Sequence, residues 1–220
     1  MIIKLVNIFK KYGNQEVLKS INFNLGLGDQ VVIQGPSGAG KSTMLHLMGG
    51  LEKPNSGQVY FQGKVLDYGQ EGHLAKFRNE SIGFMFQFHF LLPTMTCQEN
   101  ILLPIKIGDN SEKLPEAESR LRIHAKDLGV LHLLDKLPYH LSGGEQQRVS
   151  LLRAIITEAP LLLCDEPTGN LDSDNSKKVI DLLIGLSTNL KTTLVLVTHD
   201  ERIAARFNRK IRIEDGKLFG

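Results

Sequence analysis

The chain changes from alternating to continuously apolar segments, and this change predicts where its strands lie. Residues 2–8 and 17–25 alternate between apolar and polar positions, which is typical of half-exposed β-strands. Residues 31–33 and 193–197 are unbroken apolar runs, and residues 160–166 form a third run that ends in two carboxylates. A run of this kind suits a central strand of a parallel sheet that helices cover on both faces.

A helical pattern occupies the middle of the chain. It extends from residue 97 to about residue 134 and is interrupted by a polar stretch at 108–113. Further strands are predicted at residues 58–61, 81–87 and 209–214. The dipeptide Asp215-Gly216 is typical of a hairpin turn after the last of these strands. Strands on both sides of a helical segment predict an α/β fold with an inserted helical lobe.

Composition and charge narrow the class of protein. A chain of 220 residues, 41% hydrophobic and 23% charged, fits one globular domain, and a net charge of +2 without a long basic run indicates no nucleic-acid partner. Cys97 and Cys164 share no short spacing, which favours reduced cytosolic thiols over a disulfide. No segment reaches the roughly 18 apolar residues of a membrane span, and the N-terminus lacks the plan of a signal peptide. We therefore expect a cytosolic protein, or one that reaches a membrane only through a partner.

A glycine-rich turn links the strand at 31–33 to a helical pattern that opens at Lys41. A phosphate-binding loop needs this context, because glycines let backbone N–H groups surround an anion and the helix adds its positive dipole end. Lys41 would reach the β- and γ-phosphates, and the Ser42 hydroxyl would hold Mg²⁺. A tight turn without a ligand is the alternative. The predicted loop consists of Gly35, Pro36, Ser37, Gly38, Ala39, Gly40, Lys41, Ser42 and Thr43.

Polar side chains follow two of the apolar strands. Asp165 would complete the Mg²⁺ shell, and Glu166 could polarise an attacking water, although a solvated strand end is the alternative for both. His199 follows the strand at 193–197, where it can donate a hydrogen bond to a phosphate or orient water. The remaining histidines are predicted to be structural: His46, His73, His89, His124, His132 and His140.

Ser142, Gly143, Gly144 and Glu145 predict the start of a helix. A serine followed three residues later by a glutamate is a capping box. Glycines in the first turn are unfavourable for a helix. Their presence indicates that another group approaches the helix N-terminus closely, and an anion is the group that a helix N-terminus favours. A purely structural helix start is the alternative.

Two further features each allow two interpretations. Residues 88–93 are unusually apolar for a loop, which indicates either a partner surface or buried packing. Tyr12, in a predicted turn at 10–14, could stack on a nucleobase or lie as an ordinary surface tyrosine.

The order of these motifs resembles the ATP-binding cassette (ABC) family over essentially the whole chain. The resemblance rests on Tyr12, GPSGAGKS from Gly35, Gln87, LSGGEQQR from Leu141, LLLCDEP from Leu161, Asp172 and His199. It implies a P-loop NTPase (RecA-like) fold with a parallel-sheet core and an N-terminal antiparallel β subdomain. In one domain spanning 1–220, the core would comprise residues 1–87 and 156–220, and residues 88–155 would form an inserted α-helical subdomain.

The same resemblance implies ligands and roles. ATP and Mg²⁺ are the implied ligands, and the implied catalytic residues are Glu166, His199, Gln87 and Lys41. Ser42, Gln87 and Asp165 are the implied contacts of Mg²⁺, and Tyr12 and Val17 join the phosphate loop in binding the nucleotide. Members of the family form head-to-tail dimers around two ATP molecules. In such a dimer, Ser142, Gly143, Gly144, Glu145 and Asp172 of one copy would complete the site of the other.

A narrower resemblance concerns one branch of the family. Residues 86–100 and 167–173 resemble the ATPases of lipoprotein-releasing, macrolide-exporter and cell-division complexes. This implies a bacterial motor subunit at the cytoplasmic face of the inner membrane, with a membrane permease docked near Phe88–Pro93. The alternative is a non-transport ABC ATPase that regulates a cell-division or cell-wall hydrolase complex, or an antimicrobial-peptide resistance system. Ala39 and Cys164 depart from the family's common residues, but both are small.

Overall fold

Two β-sheets and a group of helices make up the protein, whose computed structural model describes residues 1–108, 111–169, 171 and 173–219. The strands are β1 (Ile3–Tyr12), β2 (Gln15–Leu25), β3 (Gln30–Gln34), β4 (Ser56–Phe61), β5 (Lys64–Val65), β6 (Ile82–Met85), β7 (Leu161–Asp165), β8 (Thr193–Thr198), β9 (Arg209–Glu214) and β10 (Lys217–Phe219). The helices are α1 (Lys41–Met48), α2 (Glu71–Ser81), α3 (Cys97–Ile107), α4 (Leu114–Asp127), α5 (Gly143–Ile155), α6 (Ser173–Asn189) and α7 (Glu201–Ala204).

The larger sheet has the strand order β10-β9-β3-β8-β7-β6. Its strands are parallel from β9 to β6, and β10 runs antiparallel to β9 at the edge. Asp215 and Gly216 join β9 to β10 with φ angles of 46° and 76°. Positive φ at both positions matches the twist of a two-residue hairpin turn, so the predicted strand–turn–strand unit is confirmed.

The central strands of this sheet are buried on both faces. In β3, Val31 and Ile33 pack with α1 in one hydrophobic cluster, whereas Val32 belongs to the cluster on the opposite face. β7 and β8 divide their side chains between the same two clusters in the same alternating manner. Strands that bury both faces cannot alternate with polar residues, which explains the unbroken apolar runs in the sequence.

The smaller sheet is antiparallel, with the strand order β2-β1-β4-β5. It packs in the cluster that contains α1, and a hydrogen bond from the Lys19 amide to the Gly216 carbonyl ties it to the larger sheet. The other cluster continues from the larger sheet through α3, α4 and α5. The α/β fold with an antiparallel sheet and a separate helical group is therefore confirmed.

Several predicted boundaries need correction. Tyr12 ends β1 rather than lying in a turn, because β1 pairs with β2 up to Tyr12 and Gln15 despite irregular register. Ser81 ends α2, so the strand predicted at 81–87 is confined to Ile82–Met85. The sequence pattern did not indicate α2, since Leu74 is its one buried residue. No helix in the described ranges is long and apolar enough to span a bilayer.

Candidate active site

The candidate residues meet at the carboxyl ends of four neighbouring strands. The glycine-rich loop follows β3, His199 follows β8, Asp165 ends β7, and Gln87 lies two residues after β6. These strands are adjacent in the order β3-β8-β7-β6. The sheet thus gathers side chains that are far apart in sequence at the edge where open α/β sheets bind ligands.

The glycine-rich loop packs closely against β2 before it enters α1. Gly40, the N-cap of α1, has a φ of 100°, and a Cβ there would lie 3.0 Å from the Val17 carbonyl oxygen. Only glycine satisfies both the backbone angle and this close approach. Val17 therefore lies beside the loop, while Pro36, Ser37 and Gly38 at its tip are exposed.

Lys41 is almost completely buried, with 5% of its surface exposed, and its ammonium group points back into the loop. Its Nζ donates hydrogen bonds to the carbonyl oxygens of Gly35 (2.9 Å) and Pro36 (3.0 Å). It also lies 3.9 Å from Glu166 Oε1. A cation is thus held at the N-terminus of α1, where it and the helix dipole favour an anion.

Ser42 and Asp165 form the second contact of the site. Ser42 Oγ donates to Asp165 Oδ1 at 3.1 Å across the intervening strand β8. Burial raises the pKa of the Asp165 carboxyl above its ordinary value, outweighing the opposite effects of the Ser42 hydrogen bond and Lys41. A hydroxyl and a poorly solvated carboxylate fit Mg²⁺, which binds proteins through one or two carboxylates and completes its shell with phosphates and water.

Glu166 connects the lysine to the histidine. One carboxylate oxygen faces Lys41, and Oε2 lies 2.8 Å from His199 Nδ1. Its side chain is 16% exposed and its φ is 43°, an uncommon backbone angle for a residue other than glycine. Its amide donates to the Val197 carbonyl of β8 at 3.1 Å, which holds this conformation.

Gln87 and Tyr12 contact different parts of this centre. A Cβ on Gly169 would lie 3.1 Å from Gln87 Nε2, so the Gln87 amide rests against the segment that follows Glu166. Tyr12 is 46% exposed, and its hydroxyl lies 3.5 Å from Thr43 Oγ1 on α1.

The segment from Ser142 to Glu145 forms the predicted capping box but lies apart from the phosphate loop. Glu145 Oε2 accepts from the Ser142 amide at 2.8 Å, and Ser142 Oγ accepts from the Glu145 amide at 3.4 Å. Within the described residues, no hydrogen bond or ion pair joins residues 142–145 to residues 35–43. A Cβ on Gly143 would meet nothing within 4 Å, so this first residue of α5 borders open space.

The structure therefore brings together most of the predicted site residues, but not all of them. The phosphate loop, Val17, Tyr12, Asp165, Glu166, His199 and Gln87 gather at one sheet edge. Ser142, Gly143, Gly144 and Glu145 lie elsewhere, and Asp172 lies outside the described residues. Glu52, whose carboxylate accepts a hydrogen bond from the Tyr12 hydroxyl, was not predicted, and no local pattern could have indicated it across 40 residues.

Comparisons with known proteins show which family the chain resembles. The family model "ABC transporter" matches residues 18–169. A protein described as "Lipoprotein-releasing system ATP-binding protein LolD" from Cytophaga hutchinsonii is 43% identical over 217 residues, covering 99% of this chain and 98% of the relative. A protein of the same description from Aquifex aeolicus is 42% identical over 220 residues, covering 100% and 96%.

Solved structures give the same result. "Dimeric Structure of MJ0796, a Bacterial ABC Transporter Cassette" has a TM-score of 0.86 and 37% identity, covering 99% of this chain and 97% of that one. A post-hydrolysis state of the same cassette, described as bound to ADP and Pi, also has a TM-score of 0.86, with 36% identity. Since the family model spans more than half of the chain and these relatives match it from end to end, the chain belongs to the ABC transporter family.

Proposed function

We propose that this chain is the ATP-binding and ATP-hydrolysing motor subunit of a membrane complex of the lipoprotein-releasing type. The observation that carries the proposal is the convergence of Lys41, the Ser42–Asp165 pair and Glu166 at one sheet edge. A buried cation, a hydroxyl–carboxylate pair and a second carboxylate are the groups that phosphoryl transfer requires.

We assign each residue a role from its contacts. Lys41 would bind the β- and γ-phosphates, for which it would exchange its bonds to the loop carbonyls of Gly35 and Pro36. Glu166 would act as general base toward an attacking water, and His199 would hold the Glu166 carboxylate in place through the 2.8 Å contact. Gln87, next to Gly169, would contact the metal or the water from the other side.

Ser42 and Asp165 would hold Mg²⁺, together with Gln87 and phosphate oxygens. When bound, Mg²⁺ neutralises charge that develops on the phosphates. The chain prepares this site by burying the Asp165 carboxylate beside Ser42, since a carboxylate deprived of water gains most from a cation.

A second copy of the chain would complete the site. The last turn of α5 packs on β6, because a Cβ on Gly83 would lie 2.2 Å from the Ala154 carbonyl oxygen. Ser142 begins α5 at its other end, about 20 Å away for a 13-residue helix. β6 is itself three strands from β3, about 14 Å. Ser142 makes no hydrogen bond to its own phosphate loop within the described residues, and the exposed start of α5 at Ser142 and Gly143 would suit the phosphate bound by a partner.

Such a dimer is consistent with the described structure of the MJ0796 cassette, which is dimeric. Two ATP molecules would lie between the copies, each bound by one phosphate loop and one α5 N-terminus. ATP would then convert its binding energy into motion by favouring the closed dimer over the open one.

The permease would dock on an exposed aromatic surface near Phe88–Pro93. Phe88 and Phe90 expose 61% and 62% of their surfaces, and Phe90 packs edge-on against Phe86. An open groove of about 460 Å³ runs beside them, lined by Phe84, Phe86, Phe90, Pro104, Ile107 and Arg153. Two large aromatic side chains exposed side by side support a binding surface here. Docking here would place the chain at the cytoplasmic face of the membrane.

We also propose the division into a core of residues 1–87 and 156–220 and a helical subdomain of residues 88–155. The support is that α3, α4 and α5 contact one another extensively. Of these three helices, α5 makes the main contact with the sheet, through β6. The helical unit would then carry Ser142 and the docking surface together.

The Glu166→Gln variant tests the proposed function. We expect it to bind ATP and to form a stable dimer visible by size-exclusion chromatography with light scattering, while its ATPase rate falls at least a hundredfold. When loaded with ATP and used to capture partners from native membranes, it should retain a permease with a large extracytoplasmic domain.

Glu201→Gln is the matched control, because Glu201 is an exposed glutamate on the neighbouring helix α7. It should hydrolyse ATP at the wild-type rate. A Glu166→Gln variant that also hydrolyses ATP at that rate would exclude Glu166 as the base. Capture of soluble proteins only would contradict the membrane assignment.

A further inference from the structure

A polar cluster surrounds Glu52, in the segment that follows α1. Glu52 Oε2 accepts a hydrogen bond from the Tyr12 hydroxyl and lies 3.0 Å from Lys10 Nζ. Its other oxygen lies 3.3 Å from His46 Nδ1 on α1. One carboxylate thus joins the end of β1 to the helix that begins at the phosphate loop.

The strand alone does not fix the Tyr12 ring. The pairing of β1 with β2 shifts register between Ile8 and Lys10 and again between Lys10 and Lys11. Tyr12 is the last residue of β1, and nearly half of its surface is exposed. Its direction therefore depends on its hydroxyl, which meets Glu52 and, at 3.5 Å, Thr43.

Glu52 also places Lys10 on the Tyr12 ring. Lys10 Nζ lies 4.9 Å from the ring centroid, and a hydrogen bond to the Lys53 carbonyl at 2.8 Å holds it there. A cation over one ring face is favourable because the face is negative. Because Lys10 covers one face of a ring that is nearly half exposed, a flat ligand would have to stack on the opposite face.

The charge of Glu52 makes these contacts strong. Burial alone would raise the pKa of its carboxyl, but hydrogen bonds from Tyr12, Lys10 and His46 lower the pKa below its ordinary value. The carboxylate is ionised at neutral pH, and hydrogen bonds to an ionised acceptor are about twice as strong as neutral ones.

We propose that Glu52 is a positioning residue for the nucleobase of ATP, which acts by fixing Tyr12 and Lys10 in a preformed stacking platform. This inference rests on the proposed function, because it requires ATP at the phosphate loop. It assigns a task to a residue that touches neither phosphate nor base. A platform that is already ordered loses less side-chain freedom when the ligand binds, so the benefit lies in affinity.

The Glu52→Gln variant tests this, because it keeps the shape of the side chain and removes the charge. We measure binding of ATP and of tripolyphosphate, which has no base, by isothermal titration calorimetry. Affinity for ATP should fall about fivefold, as expected when charge-assisted hydrogen bonds become neutral ones. Affinity for tripolyphosphate should not change, and KM for ATP should rise with little change in kcat.

Two further variants make the test specific. Glu16→Gln removes another exposed carboxylate, on β2 opposite Lys11, and should leave both affinities at their wild-type values. In a Tyr12→Ala background, Glu52→Gln should cause no further loss of ATP affinity, because the platform is already absent. Equal loss of ATP and tripolyphosphate binding, or a full additional loss in the Tyr12→Ala background, would overturn the proposal.

The outcome separates this inference from the proposed function. If the wild-type protein binds neither ATP nor tripolyphosphate, the proposed nucleotide site is refuted. If the wild type binds both and Glu52→Gln binds ATP equally well, the site stands and the role of Glu52 is refuted.

Discussion

Replacing Asp165 by asparagine should separate the stability of the free protein from its response to nucleotide. Burial raises the pKa of this carboxyl, which means that the folded protein holds the ionised form at a free-energy cost. Asparagine has the same shape and its carbonyl oxygen can accept the hydrogen bond from Ser42. The nucleotide-free Asp165→Asn variant should therefore be at least as stable as the wild type at neutral pH.

The pH dependence of this difference has a definite sign. Because the folded pKa of Asp165 lies above the unfolded one, the folded state binds the proton more tightly, and stability falls as pH rises between the two values. The advantage of Asp165→Asn should thus grow from acid to neutral pH. Asp200→Asn is a control of opposite sign, since the Arg202 side chain lowers the pKa of Asp200. It should lose stability at neutral pH and approach the wild type as pH falls through the folded pKa.

The stabilisation of the protein by Mg²⁺ and ATP should change much more than the stability of the nucleotide-free protein. At a ligand concentration of 100 times Kd, binding stabilises the wild type by about 2.7 kcal/mol. In a chain of 220 residues this raises Tm by about 5–10 °C. If the substitution weakens binding a hundredfold, the same concentration gives about 0.4 kcal/mol, or roughly 1 °C.

The shifts in Tm are measured by circular dichroism at 222 nm. This method is chosen because the chain has no tryptophan whose fluorescence could report unfolding. Scans with and without Mg²⁺ and ATP, at pH values from 4 to 8, give both the free-protein stability and the ligand shift. An Asp165→Asn variant that keeps the full shift would refute Asp165 as part of the magnesium site. A clearly lower Tm of its nucleotide-free form would refute the idea that the buried carboxylate is a cost.

Other variants test packing and backbone strain. Gly83→Ala should lower the free energy of unfolding by about 1–3 kcal/mol, because the added Cβ would meet the Ala154 carbonyl. Gly185→Ala has open space around the added Cβ and should raise the free energy of unfolding by up to about 1 kcal/mol through helix propensity. Urea unfolding of both variants measures the difference. Glu166→Gly and Glu166→Ala should both lose ATPase activity. The glycine variant should be about 1 kcal/mol more stable than the alanine variant, because residue 166 has a φ of 43° that glycine adopts without strain. Equal Tm values for the two variants would argue against strain. Arg153→Lys should cost about 1 kcal/mol, because one of two loop carbonyls loses its donor; an unchanged urea midpoint would contradict this.

Much of the fold could be predicted because its signals are local. Unbroken apolar runs predicted β3, β7 and β8, and the capping box at Ser142 and the turn at Asp215 depend on residues within three positions of each other. The sequence did not predict α2, because this helix gives no such local signal. This helix buries only Leu74, so it lacks the apolar stripe on which a periodicity argument depends.

The gathering of the site could be predicted only in outline. Strands of a parallel sheet end at the same edge, which justified placing Asp165 and His199 near the phosphate loop. The strand order decides the actual contacts, and that order cannot be read from local sequence patterns. With β8 between β3 and β7, Ser42 reaches Asp165, and Glu166 lies between Lys41 and His199. Glu52 has no signal at all, since its partners are defined only by the packing of β1 on α1.

Glu166 illustrates why a local reading cannot complete such a site. A residue before proline prefers extended backbone, yet Glu166 precedes Pro167 and has a positive φ. Strain of this kind costs on the order of 1–3 kcal/mol and persists only where the surroundings impose it. Here the Glu166 amide binds the Val197 carbonyl, and its own carbonyl accepts from the Gly169 amide at 3.1 Å. The fold therefore holds the carboxylate between Lys41 and His199 at the expense of local preference, and the stability lost there is the physical basis for expecting Glu166 to serve the reaction rather than the fold.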